Sequence, residues 1–409
     1  MIRYLADWVL PVVEPPVQNG WVDVEEGRVV AVGSRASDGF PAGPYVDLGS
    51  TAILPALVNA HTHLELSGLR NTVPPAGSMP EWVSRLLVRR AEFDEPDLGA
   101  IREALEEGKS SGTGLFGDIS NTLATVPVLE AASTAACVFH EVLSFSDTDA
   151  IGVVEQALGH VSAAGPTTHV RLGLAAHAPY SVGPEVFDQL DIAIRGAFET
   201  PRCVHLAESP EELEFLLSGR GPWRTLLERL GHWNPNWKPP GCGPVEYLDR
   251  MGWLGPNVIV VHGVQLTDAE LTRLAATGTT LVTCPRSNVW TGVGEPPIGR
   301  FIRSGVRLAV GTDSLASAPD LNLFAELALM RRCGPDVPAR HLIACATTAG
   351  AAALGFADRF GRIEPGAPAA LIGVSVPAGV SDVEEYLVGG IEPGQVRWLD
   401  QHAPRMPVD

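Results

Sequence analysis

Lysine is nearly missing from this chain: Lys109 and Lys238 are the only two in 409 residues. A C-x-x-C pair is missing altogether. The six cysteines (Cys137, Cys203, Cys242, Cys284, Cys333 and Cys345) are scattered, which speaks against a structural zinc knuckle. Positive charge is scarce as well. With 29 Lys and Arg against 48 Asp and Glu, the net charge is −19. That balance argues against a nucleic-acid phosphate backbone or an anionic membrane as a partner. A small anionic ligand held by a few local arginines stays open. No uninterrupted apolar run reaches the ~18 residues of a membrane span. The N-terminal MIRYLADWVLPVV is apolar, but Asp7 interrupts it and no small-residue cleavage site follows. Reduced thiols and a cytoplasmic location are therefore expected; self-association stays open.

What is present is a large apolar fraction, 45% against 19% charged, enough for a sizeable core. The length fits one barrel of ~250 residues plus a smaller domain. Residues 1–55 alternate short apolar runs with glycine-bounded turns, as in GWVDVEEG and RVVAVG, and 361–409 read similarly around GRIEPGAPAALIGVSV. Both ends are expected to build one small β-sandwich domain. Between them, over 56–360, eight buried-strand candidates alternate with helical stretches: AILPALVNA (52–60), GLFGDI (114–119), ACVFHEV (136–142), VRLGLAA (170–176), RCVHLA (202–207), VIVVHG (258–263), TLVTCP (280–285) and VRLAVGT (306–312). This rhythm predicts an α/β fold of the (β/α)8, TIM-like barrel type. An open doubly wound sheet is the runner-up, and no G-x-G-x-x-G turn supports it. Residues 218–247, rich in Gly and Pro and carrying Trp223, Trp233 and Trp237, interrupt the rhythm. They are expected to form a lid or pocket wall rather than outer-surface packing.

Polar residues gather at the ends of these strands. His61 and His63 are two apart after the first, so both point the same way. His205 ends the fifth, with Glu208 three residues on; His262 ends the sixth and Asp313 the eighth. Strand ends of this kind are the catalytic face of a barrel. His61, His63, His205 and Asp313 form a nitrogen-rich set with one carboxylate, which suits one divalent metal, Zn²⁺ first and Fe²⁺ second. Such an ion brings the pKa of bound water to about 7. Glu208 is placed to shuttle a proton, His262 to polarise or orient the attacked atom, and Asp313 to accept the water's proton as well as touch the metal. His177 follows the fourth strand and is expected to hydrogen-bond substrate. Glu65, Arg286, Trp82 and Arg85 are further substrate-contact candidates; Arg286 has loop-holding, and Glu65 has bracing a ligand, as the alternative. Arg89 and Arg90 join Arg85 as arginines of the segment after strand one, one of which would pair with a substrate carboxylate. Cys284 is read as packing. So are His140, His160, His169, His232, His341 and His402, with His232 the least settled because it lies in the insertion.

The combination of HTH, HxxE, a later strand-end histidine and GTD resembles the amidohydrolase superfamily. PALVNAHTHLELS, HAPYS, CPRSN and GTDSLAS are similar to its branch of nucleoside and base deaminases and triazine chlorohydrolases. The resemblance covers nearly the whole chain. It implies metal ligation by His61, His63, His205 and Asp313, catalytic roles for Glu208 and His262, and a substrate contact from His177. It also implies a single metal: two-metal relatives bridge their ions with a carboxylated lysine of strand four, and VRLGLAAH contains none. HTHLELS is most similar to 6-aminodeoxyfutalosine deaminases of menaquinone biosynthesis. The expected activity is hydrolytic deamination of an aminopurine nucleoside or related heterocycle. S-adenosylhomocysteine, methylthioadenosine and guanine are the alternative substrates, and removal of chloride or opening of a cyclic amide is the alternative reaction. A non-catalytic binding relative is the remote alternative, since such relatives tend to lose ligands and this chain has the full set.

Overall fold

The computed structural model describes residues 1–38, 45–146, 149–195 and 198–399. Residues 400–409, which close the expected 361–409 segment and include His402, lie outside the described residues. Eight parallel strands follow one another in chain order in one sheet: β1 (Leu57–Thr62), β2 (Thr113–Ser120), β3 (Ala135–Val142), β4 (Val170–Ala176), β5 (Arg202–Leu206), β6 (Val258–His262), β7 (Thr280–Thr283) and β8 (Arg307–Val310). Strands such as β3 and β6 are buried along their whole length. Parallel strands covered on both faces tolerate continuous apolar runs, which is why these segments read as apolar blocks rather than alternating ones. The helices between them carry their own stop signals. Thr267 and Glu270 form a capping box at the start of Asp268–Thr277, and Gly278 closes that helix with φ 72°.

The sheet comes round to meet itself between β8 and β1, giving the (β/α)8 arrangement. Backbone N–H groups of Thr312 and Asp313 donate to His61 O at 3.1 and 3.0 Å. A Cβ on Gly311 would lie 2.6 Å from that same oxygen, so only glycine lets the two strand ends approach. Asn59 pins the seam from below: its side-chain amide donates to Thr312 Oγ1 at 2.8 Å.

Two small sheets flank the barrel. One has five strands, in the order Val396–Trp398, Leu371–Ser375, Thr51–Pro55, Trp8–Val9 and Val17–Gln18, and so joins segments from both ends of the chain. The other has four: Arg28–Ser34, Gly20–Glu25, Ile2–Leu5 and Tyr45–Asp47. The expected single strand at 52–60 is in fact two. Ala56 N donates to Ala370 O, just before the small-sheet strand Leu371–Ser375, and the next residue, Leu57, donates to Gly112 O, beside β2. The apolar run continues unbroken because both partners bury it. Among the described residues no helix is long and apolar enough to cross a membrane.

Candidate active site

The C-terminal ends of the barrel strands gather the expected residues in one place. Ligand atoms of His61, His63 and His205 all lie within 4.8 Å of one another. Nε2 of His61 and Nε2 of His205 are 3.3 Å apart. Asp313 Oδ1 stands 3.5 Å from His63 Nε2 and 3.9 Å from His61 Nε2. The donor set fits a divalent metal on three counts. Two Zn–N bonds of about 2.0–2.1 Å at a tetrahedral angle separate their nitrogens by about 3.3 Å, the spacing seen here. His205 Nδ1 donates to His177 O at 2.8 Å, which leaves the Nε2 lone pair directed at the cluster. Asp313 is oriented by Ser287 Oγ, which donates to Oδ2 at 2.6 Å, and by Ser314 N, which donates to Oδ1 at 2.9 Å.

Burial holds the imidazoles neutral. It pushes His61 and His63 well below the ordinary histidine range, and the neighbouring imidazoles push further. His205 is lowered by burial and by His177. His262 falls to about 3 and His177 to about 4, both mainly through burial. Neutral imidazole is the ligating form. Glu208 moves the other way: burial first, then the charges of Asp313 and Glu212, push its carboxyl well above the usual range. A carboxyl with raised proton affinity suits a general acid–base group. Its Oε2 is 3.5 Å from His262 Nε2. The turn that carries it is held by Glu212, whose oxygens accept from Ala207 N at 2.9 Å and Glu208 N at 3.1 Å. Ala207, His262 and Asp313 all have positive φ (51°, 76° and 61°). Strained backbone of this kind clusters where side chains must be aimed.

A cavity of about 490 Å³ opens above this cluster. His63, His177, His205, Glu208, His262 and Asp313 form its base. Its mouth is apolar and comes from two helices. Met79–Arg90 presents Met79, Trp82, Val83, Leu86, Leu87 and Arg90, spaced three and four apart on one face. Pro222–Leu230, inside the expected insertion, presents Trp223, Leu226, Leu227 and Leu230, followed by His232. Trp82 thus lines the cavity, and residues of 218–247 form part of its wall. Trp223 stacks on Tyr180 at 4.1 Å. Trp233 and Trp237 do not reach the lining; they pack on Phe145 and Phe215.

Three substrate-contact expectations are corrected. Arg85 lies outside the cavity lining, where it donates to Glu81 one helical turn back and to Pro75 O. Arg286 is spent on the fold, donating to Glu326, Asp320, Asp320 O and Asn322 O. It staples the loops after β7 and β8 with four of its five side-chain N–H groups and does not line the cavity. Arg89 pairs with Glu92 on the surface. Arg90 is the one arginine or lysine among the described lining residues. Glu65 sits buried beneath it: Oε1 is 3.4 Å from Arg90 Nη2, while Oε2 accepts from Ser120, Thr122 N and Thr122 Oγ1. Glu65 therefore braces an arginine instead of touching the cavity.

Asn121 and Glu141 escaped the sequence reading, and Asn288, which CPRSN offers only as a residue holding loops or ligand, has a more specific place. Asn288 donates from Nδ2 to His262 Nδ1 at 3.1 Å, so the proton of that ring sits on Nε2, facing Glu208. Asn121 and Glu141, from the end of β2 and from β3, form a polar stripe beside Arg90. Only the strand register would have found Glu141, since it shares with the strand-end ligands its place at the C-terminal end of a barrel strand. Cys284 is fully buried and its thiol is pushed well above the ordinary range by burial, as packing requires.

A family model described as "Amidohydrolase family" matches residues 52–393. Over 373 residues the chain is 31% identical to a 5-methylthioadenosine/S-adenosylhomocysteine deaminase of Halobacterium salinarum, covering 87% of this chain and 80% of that protein. Over 316 residues it is 31% identical to an aminodeoxyfutalosine deaminase of Deinococcus radiodurans, covering 74% and 73%. An adenosine deaminase from Xanthomonas campestris with bound zinc superposes with a TM-score of 0.79 at 26% identity, over 97% of this chain and 90% of the other. An aminofutalosine deaminase of Helicobacter pylori shares the fold with a TM-score of 0.82 at 24% identity, over 97% and 100%. The matched segment takes in all eight barrel strands and every side chain gathered around Asp313, and on that ground the chain belongs to the amidohydrolase family and is a hydrolase of carbon–nitrogen bonds.

Proposed function

We propose that the chain is a metal-dependent hydrolytic deaminase of an adenine nucleoside, with one zinc ion as its metal and 6-aminodeoxyfutalosine, of menaquinone biosynthesis, as its substrate. One observation carries the reading: the proton-handling pair Glu208 and His262 lies at the base of a cavity of about 490 Å³ whose outer wall is apolar. A bare base fills only the base of such a space. An apolar wall ending in one arginine suits a nucleoside with a carboxylated aromatic tail, with Trp82, Leu86 and Leu227 against the ring and Arg90 beside the carboxylate.

A divalent ion held by His61, His63, His205 and Asp313 would acidify a water molecule and so supply the nucleophile. The protein's own groups do the rest. Asp313 accepts a proton from that water. Glu208, which enters protonated, gives its proton to the purine ring nitrogen beside the attacked carbon, takes the remaining proton of the added hydroxyl and hands it to the departing amine; the proton first taken by Asp313 restores Glu208, so that one water is consumed and one ammonia is released. His262, its Nε2–H fixed by Asn288, donates a hydrogen bond toward the attacking oxygen. His177 holds the heterocycle from the β4 side, its Nδ1 tied to Ser181 Oγ at 2.5 Å.

Ammonia release should be compared on adenosine, methylthioadenosine, S-adenosylhomocysteine, guanine and 6-aminodeoxyfutalosine. The expected result is a kcat/KM for 6-aminodeoxyfutalosine at least about tenfold above adenosine, about 1.4 kcal/mol in the transition state. Equal values would remove the tail from the argument, and guanine as the preferred substrate would remove the nucleoside.

A further inference from the structure

Glu141 is a buried carboxylate facing the cavity, its side chain 3% exposed. One oxygen, Oε2, accepts from Asn121 Nδ2 at 2.9 Å. The other, Oε1, accepts no hydrogen bond. His205 Nδ1 lies 3.7 Å from it, and that nitrogen already donates its proton to His177 O. An acceptor placed in this way is expensive to leave unpaired, because burial removes it from water. The chemistry above gives Glu141 no task. Its ligand atoms lie within 4.8 Å of those of His177 and His205, but the His205 nitrogen that faces it is Nδ1, whose proton goes to His177 O, so that nitrogen is not free to share an ion with Glu141.

We infer that Glu141 reads the sugar of the substrate, with Oε1 accepting a hydrogen bond from a ribose hydroxyl. The inference rests on the proposed adenine nucleoside. Such a molecule with a 5′ tail carries few donors: the exocyclic amine and the 2′ and 3′ hydroxyls. The amine is the group that leaves at the base of the cavity, so the hydroxyls are the donors that remain for Oε1. The polar stripe then acquires a purpose. Arg90 donates to Asn121 Oδ1 at 3.0 Å, and Asn121 in turn holds Oε2, so Asn121 fixes which oxygen of Glu141 is turned to the substrate. An acceptor committed to a hydroxyl also rejects the analogue that lacks it, because the site is then left unpaired.

The test compares kcat/KM for adenosine, 2′-deoxyadenosine and 3′-deoxyadenosine in the wild type, Glu141→Ala and Glu141→Gln. The wild type is expected to lose about tenfold or more on at least one deoxy substrate. In both variants the ribo-to-deoxy ratio for that hydroxyl should fall close to one. Glu141→Gln is the sharper variant: Asn121 will hold the amide oxygen, so an N–H₂ donor replaces the acceptor in the cavity without loss of volume. Metal content should be retained in both. A drop in Glu141→Gln that is equal on all three substrates, or that comes with loss of metal, would show a role in holding His205 and would overturn the inference. Equal turnover of the three nucleosides by the wild type overturns the inference alone. No ammonia release from any of them, nor from 6-aminodeoxyfutalosine, overturns the proposed function and the inference together.

Discussion

The base and the mouth of the cavity are made in different ways. At the base, each functional side chain stands at or just beyond the end of a barrel strand, and its neighbours across the sheet are fixed by backbone hydrogen bonds. At the mouth, the lining comes from one face each of two helices, Met79–Arg90 and Pro222–Leu230, which lie far apart in the chain and meet through contacts such as Arg229 Nη2 to Ser84 Oγ at 3.3 Å. The base is polar and strained, the mouth apolar and regular. A barrel frame thus keeps its chemistry constant while helices outside it can change what is admitted.

The largest effect is expected where the base is broken at its seam. Wild-type protein purified without chelator should carry about one divalent metal per chain. Asp313→Ala should lose most of it, together with more activity than any other single change named here; elemental analysis and ammonia release measure the two. Full metal content in an inactive Asp313 variant would place this carboxylate in proton transfer alone. Next comes Glu208→Gln, which should keep metal near the wild-type level and lower kcat by about 10²–10⁴, the value of a positioned acid–base group. Normal turnover in that variant would take the proton shuttle away from Glu208.

The mouth should respond differently. Leu230 is 45% exposed and lines the cavity, so a charged residue is tolerated there without unfolding the helix. Leu230→Glu should raise KM for a carboxylated substrate about tenfold, about 1.4 kcal/mol, and leave kcat for adenosine within about twofold. Loss of kcat on adenosine would mean that the mouth and the base are not separable.

The smallest effect concerns acid stability. His177 has a pKa of about 4 in the fold, lowered chiefly by burial, against 6.5 when unfolded. Between those values the unfolded chain binds the extra proton. The stability tied to this residue is therefore intact above pH 6.5 and drains away as pH falls toward about 4. Buried Asp118 and Glu212, both raised to about 7, act in the opposite sense over an overlapping range. A difference measurement isolates the histidine: thermal melts of His177→Gln should fall less steeply with pH than the wild type between pH 6.5 and about 4. Parallel curves would show that His177 is protonated in the native state.

The same contrast explains how much was legible in the sequence. His61, His63, His205, Glu208, His262 and Asp313 could be read because each follows or interrupts an apolar run at a place where a barrel strand must end. The residues that support them could not. Asn288 faces His262 from another strand's loop, and no spacing connects the two. Glu141 sits in ACVFHEV, where one charge in an apolar run says nothing of its direction until the register is known. Arg286 looked like an anion binder because its partners, Asp320 and Glu326, lie 34 and 40 residues on. Arg85 looked similar until the helix turned it toward Glu81. Trp82 was picked as a contact, but the helical face that puts it beside Leu86 and Arg90 became visible only with the fold. The strand at 52–60 was read as one because an apolar run carries no mark where it changes partners.

That change of partners at Ala56 has a consequence for the order in which the molecule is made. Thr51–Pro55 pairs with Trp8–Val9 on one side, but its other side is filled by Leu371–Ser375, more than three hundred residues later, and Tyr4 donates its hydroxyl to Leu399 O at 2.8 Å. The βα units of the barrel form from contacts close in sequence, while this sheet waits until Leu371–Ser375 has been made. Until then Thr51–Pro55, buried throughout in the finished fold, presents an open edge to any other strand. The period between translation of Pro55 and arrival of Leu371 is when the chain is most exposed to misassembly. Protein stopped short of Leu371 should accordingly be recovered aggregated, even though every metal ligand and Glu208 would be present in it; recovery of soluble, metal-loaded material would show that the barrel protects that edge by itself.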